Sequence, residues 1–287
     1  MESGDTQEAD FVGFDEATKE EEKEPQAGPS TALQGIQASK GWFHCFQGGF
    51  QLKCVSLHGE AASADMEAAV KYLKTFKKII RDKGYHPEQM FSMDETGLFW
   101  KKMPSETYLM KDKARASGFK AQKDRVILIM CGNAAAFMLK PGLIYKVANP
   151  RALKNMNKGL LAVFWMHNTK AWITKVLTDN WFIQSFTHQI RQYLNNLCIE
   201  FKVLLIMDNA GGHPVDLYYD GVQLEFLPVN TTSLLQSMDQ GVICAFKALY
   251  TRNSLKYLVN AMDADSEFML KEYWYKFTVA TCLTVIN

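Results

Sequence analysis

The stretch VLLIMDNAGGHP, residues 203–214, constrains the fold more than any other part of this chain. Val203–Met207 is an unbroken apolar run, the pattern of a strand buried on both faces in a sheet covered by helices. The run then meets Asp208 and a loop-forming Asn-Ala-Gly-Gly-His-Pro. An ionised carboxylate buried without a partner is costly, so an acid at this point sits at a strand's mouth and binds something positive. The competing reading is a plain turn, which Asp, Asn and Gly all favour.

The neighbouring patterns give that strand a context. Met66, Ala69, Val70, Leu73, Phe76 and Ile80 recur at helical spacing between Ser63 and Gly84. They predict an amphipathic helix whose Lys71, Lys74, Lys77 and Lys78 face outward, as a solvated face or a phosphate-binding row. GWFHCFQGGFQL (41–52) is aromatic and punctuated by glycine, without a clear period. QMFSMD predicts a strand ending at Asp94, and RVILIMCG (125–132) another. Residues 137–147 read as a further strand, or as a pair broken at Pro141-Gly142. A helix is expected over about 179–199, capped by Thr178, then a strand at 222–229 and a helix over about 234–262. Strands first, then strands alternating with helices, predict an α/β fold with a mixed sheet flanked by helices.

Composition narrows the function classes. No apolar run approaches the roughly 20 residues that span a bilayer, and the N-terminus is acidic, unlike a secretory leader. Six scattered cysteines without a CxxC pair suit a reducing compartment. His44, Cys45, Cys54 and His58 fit no zinc-finger spacing. The net charge of +1 hides a segregation: residues 1–25 hold ten acids and two bases, leaving 30 bases against 21 acids in the rest. A basic body with an acidic tail permits a polyanionic partner. Residues 1–36, Glu-rich and without hydrophobic periodicity, are expected to be disordered.

Three acids then stand out: Asp94 in SMDETG, Asp208 in IMDNAGG, and Asp239 in LLQSMDQGV, early in the last predicted helix. Strand ends and a helix start can converge in a sheet fold. Hard oxygen ligands suit Mg²⁺ or Mn²⁺ rather than zinc, and two such ions serve phosphodiester cleavage. Converging acids repel, so at least one carboxyl pKa is expected to be raised without a cation, and removing the Asp208 charge is expected to stabilise the metal-free protein. With 31 acids in the chain, three acids alone are a weak signal.

The wording around them is far more specific. DETGLFWKKMPS (94–105), GFKAQKDRVILIMCGNAAA (118–136), PGLIYKVANPRALKN (141–155), LLIMDNAGGHP and VNTTSLLQSMDQGVI resemble the Tigger group of pogo-type transposases. The resemblance runs from about Ala38 to the C-terminus. It implies an RNase H-like DDE endonuclease core over 85–287, preceded at 37–84 by the remnant of a CENP-B-type helix-turn-helix and a linker helix. It also implies catalytic, metal-binding roles for Asp94, Asp208 and Asp239, two Mg²⁺ or Mn²⁺ ions, a DNA partner and a nuclear location. Asn209 and His213 share the loop and could touch metal, water or DNA, or only shape the turn. Trp100, Lys101 and Lys102 could line a DNA channel, with Trp100 alternatively in the core.

Departures from the family's pattern temper this expectation. The GWF segment carries His44, Cys45, Gln47, Gly48 and Gly49 where relatives place Arg and Lys. Base-reading contacts need phosphate-binding cations beside them, so DNA binding is expected to be weak and non-specific. Gly211 and Ser237 stand where relatives usually show Pro, which loosens the approach to Asp208 and Asp239. The chain stops at CLTVIN, in an apolar stretch that reads as an unfinished helix. Two readings follow: a metal-dependent nuclease core without its own site reader, or a domesticated relic that binds DNA or protein without cleaving. The sequence leaves the oligomeric state open.

Overall fold

The computed structural model describes residues 39–52, 63–102, 124–265 and 267–286. The acidic segment 1–36, Cys54, His58 and the stretch 118–122 lie outside them. The chain divides into two units, Met1–Ser56 and Leu57–Asn287. In the first, helix α1 (Lys40–Gly49) starts at Ser39, whose Oγ accepts the Trp42 N–H at 3.1 Å. The rings of Trp42, Phe46 and Phe50 meet one turn apart, with centroids at 5.2 and 4.6 Å. That is a helical period which the interspersed glycines hide in the sequence.

The second unit begins with α2 (Met66–Lys83), capped by Asp65 rather than Ser63 and ended by Gly84 in the left-handed conformation at φ 66°. Lys71, Lys74, Lys77 and Lys78 are exposed as expected. Its apolar stripe is mostly open, however: Met66, Val70 and Leu73 are 63%, 51% and 43% exposed, and Ala69 alone is buried. The helix meets its own unit along a narrow line.

Among the described residues six strands form one sheet: β1 (Met90–Leu98), β2 (Val126–Asn133), β3 (Gly142–Tyr145), β4 (Phe164–His167), β5 (Val203–Met207) and β6 (Val222–Phe226). Their spatial order is β4-β3-β2-β1-β5-β6. β1 pairs antiparallel with β2 and parallel with β5, and β5 pairs parallel with β6. This is the mixed, RNase H-like sheet that the resemblance implied. The 137–147 segment is indeed broken, with Met138 bridging Gly132 before β3 starts at Gly142. β4 was not legible in the sequence, because PheTrpMetHis has neither the length nor the alternation of a strand signal.

Each face of the sheet buries a separate core, as two-sided burial of β5 requires. On one face Phe91, Met93, Ile129, Val203, Leu205 and Met207 pack against α3 (Lys175–Trp181), a π-helical turn at Phe182–Phe186, and α4 (Thr187–Asn196). The helix begins three residues before Thr178, at Lys175, and its cap is Thr174, whose Oγ1 accepts the Leu177 N–H. The buried Thr178 hydroxyl instead donates to the Gly212 carbonyl at 2.9 Å. On the other face Leu98, Val126, Leu128 and Leu143 meet α6 (Ile243–Ala264), α7 (Leu270–Lys276) and α8 (Val279–Ile286). Among the described residues no helix is long and apolar enough to cross a membrane.

Candidate active site

The site forms where β1 outlasts β5. Parallel pairing runs from Met90↔Leu204 to Ser92↔Ile206 and stops, while β1 continues to Leu98 against β2. Asp94 therefore does not end its strand; it is paired with Met130 on the β2 side. Two positions beyond Ser92↔Ile206, it stands level with Asp208, the first residue after β5. The two strands part at this point, and the acids flank the opening.

Asp239 reaches the opening from the other side of the sequence. It lies in a short helix-like stretch, α5 (Thr232–Leu235) followed by a π-helical turn at Met238–Val242, which leads into α6. Gln240 (ψ 26°) and Gly241 (φ 131°) break the helical backbone there. Gln236 ties this stretch to β1 from a fully buried position. Its Oε1 accepts the Ser92 hydroxyl at 2.5 Å, and its Nε2 donates to the Met93 carbonyl at 2.9 Å. Gln236 at φ −73°, ψ 106° and Ser237 at φ −61° already hold the backbone that a proline at 237 would enforce.

The acids fall into two linked groups. Asp94 is hydrogen-bonded to Asp239, and burial, then the charges of Asp239 and Glu95, push its pKa up to about 8. The Glu95 N–H, donating to Asp94 Oδ1 at 2.7 Å, only partly offsets this. Asp208 belongs to the second group, with Glu95 and His213, whose candidate donor atoms all lie within 4.8 Å of one another. The His213 ring is buried, with Nε2 2.7 Å from Glu95 Oε1 and Nδ1 2.9 Å from the Asp208 carbonyl. Burial pulls its pKa down, but the contacts with Asp208 and Glu95 outweigh that and lift it to about 10. His213 is thus an imidazolium between two carboxylates. Asp208 has a local counter-ion, and the acid under repulsion is Asp94. Removing the Asp208 charge is therefore not the change that relieves the site.

Asp94, Glu95, Asp208 and Asp239 share one cavity of about 380 Å³, with Asn230, Thr232 and Ser233 at its rim. Its donor set is all oxygen on the Asp94–Asp239 side. On the other side Asp208 Oδ1 is ion-paired with His213 Nδ1 at 2.8 Å, and the same ring nitrogen lies 2.9 Å from the Asp208 carbonyl. The carboxylate oxygens of Asp94, Asp208 and Asp239, gathered in one cavity, fit a hard divalent cation.

Other candidates separate. Asn209 is exposed. Trp100 is buried in the core beneath α7, and Lys101 Nζ donates to the Trp274 carbonyl at 2.9 Å, which leaves only Lys102 of that group exposed. His44 and Cys45 are exposed on α1. Glu95, Gln236 and Ser92 carry site geometry that the sequence reading passed over. Glu95 could have been found by its alternation with Asp94, which sends two adjacent acids to opposite faces of one strand.

Residues 123–287 match the family model described as DDE superfamily endonuclease. The chain belongs to the DDE superfamily endonuclease family. It is 32% identical over 209 residues to the human "Jerky protein homolog", covering 71% of this chain and 37% of that protein. With human "Tigger transposable element-derived protein 7" the identity is 29% over 243 residues, 81% of this chain and 44% of the relative. "CENP-B homolog protein 2" of Schizosaccharomyces pombe is 26% identical over 232 residues, 77% and 42% of the two chains. The chain thus spans about two fifths of the length of these relatives. Among solved structures, "Mos1 transposase paired-end complex with left transposon end" matches at TM-score 0.44 and 13% identity, over 86% of this chain and 70% of that one.

Proposed function

We propose that this chain is the core of a transposase-derived nuclease that cleaves phosphodiesters in DNA, with Asp94, Asp208 and Asp239 as its metal-binding catalytic carboxylates. The observation that carries this reading is the meeting of Asp94 and Asp208 at the β1–β5 fork, with Asp239 hydrogen-bonded to Asp94 across the same cavity. Two Mg²⁺ or Mn²⁺ ions, when bound, supply a water activated for attack and charge stabilisation for the leaving oxygen. The chain's own residues do the positioning. Gln236 fixes the Asp239 turn to β1, and His213 holds the Asp208 loop against Glu95. A bound cation would take the place of the proton that Asp94 holds beside Asp239 in the metal-free fold. DNA is engaged weakly, without sequence preference and with steep salt dependence, through the basic surface of the body. A DNA substrate is what supports a nuclear location for this protein.

The test uses the purified full chain. Ligands that bind only the folded state stabilise it by about 2.7 kcal/mol at about 100 times their dissociation constant. Millimolar Mn²⁺ should raise the melting temperature, Asp208→Asn should remove most of the rise, and wild type should nick supercoiled plasmid where the variant does not. A melting temperature unmoved by Mn²⁺ refutes the metal site. A rise without nicking leaves the other reading, a binding module that does not cleave.

A further inference from the structure

A second, larger cavity of about 750 Å³ opens beside the acids, and its far wall has no part in the cleavage just described. One end holds Asp94, Glu95 and Asp208; the other holds Arg125, Trp172 and Lys175. The polarity changes from metal-binding oxygens to cations and an aromatic ring within one groove.

Trp172 is the unusual member. Trp100, Trp181 and Trp274 of the same unit are buried, whereas Trp172 is 53% exposed. Its exposure is held in place. The Asn168 side chain accepts the Trp172 N–H at 3.0 Å and donates to its carbonyl at 2.5 Å, closing the loop onto itself. Ala171 adopts φ 45°, a left-handed conformation that strains a non-glycine residue. A loop strained to present a large aromatic ring to solvent is a pattern of binding sites. The Arg125 guanidinium lies over one face of the Trp172 ring, 5.0 Å from its centroid. Its stem crosses Gly97 of β1, where an added Cβ would come within 3.1 Å of Arg125 Cδ. The lack of a side chain at Gly97 lets the arginine lie along the strand that carries Asp94.

An aromatic ring with a guanidinium over one face and an ammonium nearby recognises a base on its other face and phosphates at the cations. Bases inside a duplex offer no free face, so the ligand that fits is an unpaired nucleotide. We propose that Trp172, Arg125 and Lys175 form a subsite for an unpaired nucleotide of the DNA strand next to the scissile phosphate, with the base stacked on Trp172 and the phosphates met by Arg125 and Lys175. This inference rests on the nuclease reading for its placement, but it is tested by binding alone.

The experiment measures fluorescence anisotropy of labelled DNA with the full chain in EDTA, comparing a blunt duplex with the same duplex carrying a three-nucleotide single-stranded overhang. Stacking of one base is worth about tenfold in affinity, so wild type should prefer the overhang by about that factor. Trp172→Ala and Arg125→Ala should each erase the preference, and Trp172→Phe should keep most of it. Both Ala variants should keep the Mn²⁺-induced rise in melting temperature, which separates this site from the acids. Unlabelled overhang DNA should compete at concentrations where dATP does not. Equal binding of blunt and overhang DNA by wild type overturns the proposal, as does a preference surviving in Trp172→Ala. Equal competition by dATP overturns the assignment to a strand. If Asp208→Asn leaves the Mn²⁺ response intact, the nuclease reading fails while the binding result still decides this one.

Discussion

Replacing Gln236 with leucine isolates what holds Asp239 in the site. The two side chains are similar in size, so the change removes polarity rather than volume. Gln236 is fully buried and makes two hydrogen bonds to β1, from the Ser92 hydroxyl and to the Met93 carbonyl. Leucine satisfies neither, and each buried polar group left alone costs about 1–3 kcal/mol. Ser92 Oγ can rotate to another acceptor, whereas the strand carbonyl cannot, so the expected loss is about 2–4 kcal/mol. Urea unfolding followed by circular dichroism measures it, with an unchanged m-value showing that the folded state is otherwise intact. Ser92→Ala in the Gln236→Leu background should cost less than Ser92→Ala alone, because its partner is already gone. The Mn²⁺-induced rise in melting temperature should fall as well, since Asp239 follows Gln236 by three residues and inherits its position. A loss under about 1 kcal/mol together with a full Mn²⁺ response would refute the idea that this contact aims Asp239.

Two further outcomes test the electrostatics and the loop. Asp94 titrates near 4 when unfolded and near 8 in the metal-free fold, so the fold keeps a proton that the unfolded chain has lost. Metal-free stability should therefore fall as pH rises from about 4 to about 8, and Asp94→Asn should flatten that part of a melting-temperature profile; an unchanged slope sinks the assignment. Gly211 is the second residue of the turn closed by the His213 N–H on the Ala210 carbonyl at 3.0 Å, with nothing within 4 Å of an added Cβ. Gly211→Pro should stabilise by about 0.4–1 kcal/mol through the unfolded chain, whereas Gly212→Ala, whose Cβ would meet Ile173 Cγ2 at 2.9 Å, should destabilise; calorimetry giving the same sign for both would refute the turn geometry.

The sequence determined those features whose cause is local. The apolar run of β5 needs burial on both faces wherever it lies, and an acid directly after it has to stand at the strand's mouth. Helix α2 and its outward lysines follow from spacing alone, as does the helix around Phe186 and Ile190. Even so, local spacing could not say how much of α2 is covered, and its stripe of Met66, Val70 and Leu73 stays open. The caps at Asp65 and Thr174 were each missed by a few residues, because several Ser, Thr and Asp side chains compete for the same role.

Tertiary structure decided the chemistry of the acids. Asp94 and Asp208 are level only because β1 and β5 pair in parallel with one register, and a slip of one residue would send Asp94 to the other face. His213 meets Glu95 across 118 residues of sequence, and Gln236 meets Ser92 across 144. No periodicity encodes contacts of that range. They made Asp94 the protonated acid and gave Asp208 an imidazolium neighbour, the reverse of what three equivalent carboxylates would suggest. The reason is physical: charge and burial act through distance in space, and distance in space is fixed by strand register, not by position along the chain.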